Sequence, residues 1–283
     1  MTSYFPLLPS ISSNSLSKTI NSSTTLLNCS NNFKESNRSK NHRNSVYIGT
    51  YKLEGLIWKN ISIKECKYGD FVDITRNSID VNSDQMVVSL LRLQNTFPKS
   101  SRILPKPDSL RIDSSPVAER GSLNYHFEDT TTTYQGEYPY AMSNIDKGSF
   151  WSFDALKEDL SQEEKVQSFL ILMNINRDAE KQSEVDLDIY DPHKKNKTLN
   201  WKARQNSFTV INLREVNEAL NFKETQNTFF IKCKNCTFIP IVLNIDTENN
   251  NISMEHTHPP HELLWGRDKF KVIKFLKEKW ILN

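Results

Sequence analysis

The feature that most limits the architecture of this chain is a series of short segments with a two-residue hydrophobic period. In SEVDLDIYD, residues 183–191, Val185, Leu187 and Ile189 fall on one side, and Glu184, Asp186 and Asp188 on the other. A strand separates side chains this way because successive Cβ atoms point to opposite faces of a sheet. SLNYHFED, residues 122–129, repeats the pattern, with Leu123, Tyr125 and Phe127 opposed to Asn124, His126 and Glu128. KVQSFLILMNI is apolar on both faces, as a strand covered on two sides would be. NSFTVINL, TFFIKCKN and TFIPIVLNI follow, each bounded by Asn-rich or charged turns. Short strands separated by turn signals about every ten residues predict an all-β, mostly antiparallel fold. Over residues 120–262 the expectation is a β-sandwich or jelly-roll-like domain.

The first half reads as a smaller β-domain over residues 46–115. NSVYIGTYKLEGLIWKNISIKEC gives two strands with a turn near Glu54-Gly55. DFVDITRNSIDV alternates loosely, and DQMVVSLLRLQNTF is a dense apolar run that favours a buried strand over a short helix. Pro98, Pro105, Pro107 and Pro116 then mark an extended linker, because proline fixes φ and removes an amide donor. Residues 1–45 hold twelve serines, five Lys or Arg and one acid, Glu35, without a hydrophobic period. They read as a disordered leader, with an organelle transit peptide as the alternative. At the other end, Val272, Ile273, Leu276 and Trp280 recur at helical spacing among five lysines, so residues 263–283 predict a C-terminal amphipathic helix.

Composition removes several classes of function. Among 283 residues there are only seven glycines, and neither phosphate-cradling glycine motif nor a G-x-S-x-G nucleophile elbow occurs. Asparagine, at 29 residues, is expected to take many of the turns glycine would otherwise serve, since it tolerates the left-handed region. A net charge of +2 argues against a nucleic-acid binder. No apolar run reaches transmembrane length, and a soluble, cytoplasmic protein is the expectation.

Metal-ligating residue types gather near the end. Cys233 and Cys236 form a C-x-x-C between two strand runs, and His256, His258, His261 and Glu262 follow. With the intervening turn centred between Glu248 and Asn249, antiparallel pairing sets Ile241 opposite His256 and Cys236 opposite His261. Two thiols and these imidazoles could then supply a tetrahedral structural zinc site. His256-x-His258-x3-Glu262 also resembles, over seven residues, the core of the cupin metal motif, which implies a divalent metal held by those three side chains. The resemblance departs at the glycine expected before the pair, and Pro259 and Pro260 break the strand just after it. Three ligands would leave a position for water and hydrolytic chemistry.

Between residues 134 and 154, aromatic side chains alternate with groups that bind hydroxyls. Tyr134, Tyr138 and Trp151 could stack on a ligand ring, while Gln135, Glu137 and Asp154 offer hydrogen bonds. The competing role for these rings is to cover the end of a β-core. The stripe Glu184, Asp186, Asp188 has the carboxylates to hold calcium, or is a solvated strand face. The expected function is therefore a non-catalytic binding or interaction protein, for a protein or carbohydrate ligand, with a structural zinc. The alternative is a metal-dependent hydrolase or lyase built on His256, His258 and Glu262.

Overall fold

The computed structural model describes residues 3–12, 16, 19–28, 45–67, 69–108, 119–144, 149–154, 165–190, 198–220 and 228–256. They divide into two units. The first takes residues 1–127, 131–144 and 177–181; the second takes residues 128–130, 145–176 and 182–283. Both are built from antiparallel strands, as expected for the class. The expected C-terminal helix, residues 263–283, lies outside the described residues. No helix among the described residues is long and apolar enough to cross a membrane.

The first unit holds β1 (Ser3–Pro6), β2 (Asn21–Asn28), β3 (Ser45–Glu54), β4 (Ile57–Lys67), β5 (Phe71–Thr75), α1 (Arg76–Ile79), β6 (Val87–Arg92), β7 (Ser100–Ser101), β8 (Glu119–Phe127), β9 (Thr130–Tyr134) and β10 (Tyr138–Pro139). One sheet has the order β10-β1-β6-β3-β4-β7 and the other β5-β2-β8-β9. The β3–β4 hairpin closes through Gly55-Leu56, with Glu54 paired to Ile57 and Gly55 at φ +59°. A glycine at the first central position lets a two-residue loop follow the strand twist. Phe5, Val46, Ile48, Val87 and Leu91 from the first sheet share a core with Leu26 and Ile74 from the second. The apolar run read as a buried strand is β6. Where loose alternation was read through residue 81, the chain instead turns into α1, because Thr75 and Ser78 form a reciprocal capping box.

The stretch read as a disordered leader contributes two of these strands. Several of its hydroxyls are buried and bond to carbonyls. Thr24 Oγ1 donates to Pro6 O at 2.7 Å, and Ser22 Oγ donates to Leu8 O. Tyr125 Oη donates to Pro9 O at 2.8 Å. Buried Arg76 donates to the carbonyls of Leu7, Leu8, Asn82 and Gln85. Burial lowers the Arg76 pKa to about 10. These contacts hold residues 6–9 through their carbonyls, which explains how a serine-rich segment without a hydrophobic period joins a sheet. The first unit also continues past the proline-rich stretch, since β8, β9 beyond Thr130, and β10 belong to it.

The second unit holds β11 (Ser149–Asp154), β12 (Val166–Met173), β13 (Glu184–Tyr190), β14 (Thr198–Arg204), β15 (Phe208–Asn212), α2 (Leu213–Leu220), β16 (Thr228–Cys233), β17 (Ile239–Asp246) and β18 (Asn251–His256). Its sheets run β11-β16-β13-β14 and β15-β12-β17-β18. Trp151, Leu187 and Ile231 from the first meet Leu170, Ile211 and Val242 from the second in one apolar core. β12 is central in its sheet, and Gln167 through Met173 are all buried, as its two apolar faces predicted. Asn206 and Asn250 take left-handed φ of +52° and +53°, the role expected of asparagine in a glycine-poor chain. α2 was not anticipated; Leu213, Val216 and Leu220 turn into the core, and Asn212 Oδ1 accepts from Arg214 N at its start.

Candidate ligand-binding face

In the sheet β5-β2-β8-β9, alternate residues turn away from the core. Leu26, Val72 and Ile74 face inward, so Thr25, Leu27, Phe71 and Asp73 face outward. Cross-strand pairing sets Leu27 beside Phe71, Thr25 beside Asp73 and Ser122, and Ser23 beside Thr75 and Asn124. Phe71 is 63% exposed and Leu27 36%. An exposed aromatic ring therefore borders a row of hydroxyls, amide and carboxylate on one pleated surface.

That row is hydrogen bonded along its length. Thr25 Oγ1 donates to Asp73 Oδ1, and Asn124 Nδ2 lies 3.0 Å from Thr25 Oγ1 and 3.1 Å from Ser23 Oγ. Ser23 Oγ is 2.8 Å from His126 Nε2, and His126 Nδ1 is 2.9 Å from Thr131 Oγ1. The Asp73 carboxylate can only accept, so Thr25 spends its proton there and must accept from Asn124. The Asn124 amide thus presents its nitrogen to both hydroxyls. Ser23 accepts from Asn124 and bonds His126 Nε2, with the direction of that bond and of the His126–Thr131 bond set by the imidazole tautomer. The carboxylate thus fixes the direction of the Thr25 and Asn124 bonds. No carboxylate of the described residues orients His126, and its ring partners are hydroxyls.

The residues singled out in the sequence are distributed differently. Tyr134, Gln135, Glu137 and Tyr138 belong to the first unit, and Trp151 and Asp154 to the second. Tyr138 is fully buried. Trp151 is 2% exposed and meets Phe238 edge-on at 6.1 Å, inside the second core. Neither ring can stack on a ligand, and the expected contact surface over residues 134–153 is corrected in that respect. Tyr134 lies half-buried on the face of β9 opposite Thr131, folded onto Gly136, where a Cβ would come within 2.4 Å of its ring. Burial, with the Glu137 charge adding to it, pushes its phenol up to about 12. Gln135 is exposed. Asp154 pairs with Thr228 between β11 and β16.

The expected register between β17 and β18 is met at every pair, from Ile241 opposite His256 to Asp246 opposite Asn251. Asp246 builds the turn by accepting from the amides of Glu248 and Asn249. His258, His261 and Glu262 lie outside the described residues. Cys233 and Cys236 are both buried. The two strands that flank them do not form a hairpin: β16 and β17 belong to different sheets, and the C-x-x-C carries the chain from one to the other. Both thiols sit in the core with Trp151 and Phe238, and burial raises the Cys233 pKa. No group of three metal-ligating side chains occurs among the described residues. The acidic stripe on β13 is engaged by its neighbour strand: Lys202 bonds Asp186 at 2.5 Å and Asn200 bonds Asp188 at 3.3 Å.

No known family matches the chain, and no curated protein matches it. Among solved structures, a β-D-glucuronidase of Dictyoglomus thermophilum is similar at 10% identity and a TM-score of 0.16. The alignment covers 90% of this chain and 35% of that one, and a likeness at that level carries no argument.

Proposed function

We propose that the protein is a non-catalytic binding protein built from β-sandwich units, and that its ligand is a carbohydrate. The observation that carries this reading is the exposed Phe71 beside the exposed Asp73 and half-buried Thr25, whose bond is held from behind by the buried Asn124 and Ser23. Sugar rings have apolar faces that stack on aromatic rings, and rims of hydroxyls that need donors and acceptors held at fixed positions. A row whose bonds are already directed loses little freedom on binding. The reading keeps the carbohydrate expectation and moves the contact from Trp151 and Tyr138 to Phe71. Affinity electrophoresis through gels containing neutral soluble polysaccharides tests it: the protein should be retarded, and Phe71→Ala should migrate as a non-binding control does.

A second reading concerns metal. The β17–β18 register sets His256 opposite Ile241, near the start of β17, which follows Cys236 by three residues. It supports a structural zinc that uses Cys233, Cys236 and the histidines His256, His258 and His261. The competing use of His256, His258 and Glu262 as a catalytic metal site separates from it by mutation. A structural zinc is lost with the cysteines; a catalytic metal survives their loss and goes with His256.

A further inference from the structure

Elsewhere in the first unit, residues 104–108, the short 3-10 turn Tyr140–Asn144 and Arg177 form a cluster that the binding reading does not use. The Arg177 guanidinium carbon lies 4.9 Å from the centre of the Tyr140 ring, and Lys106 Nζ lies 5.3 Å from it. Arg177 is fixed by its surroundings. Its Nη1 donates to Tyr140 Oη at 2.6 Å and its Nε to Leu104 O at 3.2 Å. Its backbone N–H donates to Ser143 O at 3.0 Å, while its carbonyl accepts from Leu104 N at 2.8 Å and Trp58 Nε1 at 2.9 Å. Tyr140 is held in turn against the Tyr4 ring at 6.0 Å, and its carbonyl accepts from Ser143 Oγ at 2.7 Å.

Two cations therefore converge on one ring. Neither forms an ion pair with a carboxylate among the described residues; the adjacent Asp178 is taken by Arg102 at 2.8 Å. A ring face attracts a cation only weakly and neutralises no charge. The Tyr140 hydroxyl accepts from Arg177, so its own proton is free to be donated elsewhere. Beyond the N–H groups that Arg177 gives to Leu104, Tyr140 and Tyr4, its remaining guanidinium donors, the exposed Lys106 ammonium and the Tyr140 phenol offer the hydrogen bonds that a tetrahedral oxyanion takes.

We propose that Arg177, Lys106 and Tyr140 form a binding site for a phosphate-type oxyanion, either free or carried on a larger molecule. Isothermal titration of the full chain with inorganic phosphate, at ionic strength held constant with sodium chloride, tests the site. Saturable binding is expected. Lys106→Glu, at an exposed position, should weaken it at least about tenfold, the scale of one charge-assisted hydrogen bond, and leave the melting temperature unchanged. Tyr140→Phe, which removes only the hydroxyl, should weaken it several-fold. Glucose 6-phosphate binding more tightly than inorganic phosphate would place the anion on a larger ligand, and equal affinity would make it the free ion. Absence of saturable binding, or a Lys106→Glu protein that binds as the wild type does, would overturn the proposal.

Discussion

Phe71 stands directly across from Leu27 on the outward face of the β5-β2-β8-β9 sheet, 63% exposed beside a hydrogen-bonded polar row. A ring so placed contributes little to folding, because it gains little by leaving water. Phe71→Ala is expected to change stability by less than about 0.5 kcal/mol, the usual range for a surface site. Urea denaturation of the two proteins checks this. A larger loss would make Phe71 part of the fold and not part of a contact surface.

Trp151 is the opposite case. It is 2% exposed within the second core, and Trp151→Ala is expected to cost about 3–5 kcal/mol through lost transfer energy and a residual cavity. Chemical denaturation measures this cost. A neutral result would return Trp151 to the list of surface residues.

Arg76 holds the carbonyls of Leu7, Leu8, Asn82 and Gln85 while buried. Arg76→Met keeps the stem but strands those acceptors. A loss of about 3–5 kcal/mol is expected, the range for removing one member of a buried charged network. Hydrogen exchange should show the amides of Phe5, Leu7 and Leu8 losing protection first. Unchanged protection there would contradict the anchoring role.

The phenols of Tyr51 and Tyr134 are both pushed up to about 12 from 10, chiefly by burial. Folding therefore favours their neutral forms. The stability this gives is fully present below pH 10 and is lost as pH rises through about 12. Ultraviolet titration should show a tyrosine fraction that ionises late and together with unfolding. Complete tyrosine ionisation near pH 10 in the folded protein would contradict it.

The zinc reading predicts stoichiometric zinc in protein purified without added metal, and its loss in Cys236→Ser. Elemental analysis gives the answer directly. Metal-free wild-type protein would leave Cys233 and Cys236 as core thiols only.

What could be read in the sequence was whatever has a period. The alternation of Val185, Leu187 and Ile189, the two-faced burial of Phe169–Met173, and the β17–β18 register all follow from the two-residue repeat of a strand. The second half was legible for that reason. β1 and β2 were not, because their buried apolar residues, Tyr4, Phe5 and Leu26, do not alternate, and the hydroxyls around them and Arg76 bond to carbonyls. The candidate face was hidden for a related reason. Ser23, Asp73 and Asn124 are far apart in sequence and meet only through strand pairing, although Asn124 and His126 already stood on one side of an alternating segment. α2 was missed despite a legible signal: Asn212 with Glu215 three residues later, before apolar positions at helical spacing. Trp151 was misassigned because aromatic residues are enriched in cores and contact surfaces alike.

The proposed role stands on Phe71 as a stacking platform, and replacement of that one ring tests it most directly. Retardation in neutral-polysaccharide gels should be present in the wild type, abolished in Phe71→Ala and restored in Phe71→Tyr, with all three proteins equally stable. Wild-type migration that no polysaccharide alters, or retardation that Phe71→Ala retains, would contradict the account.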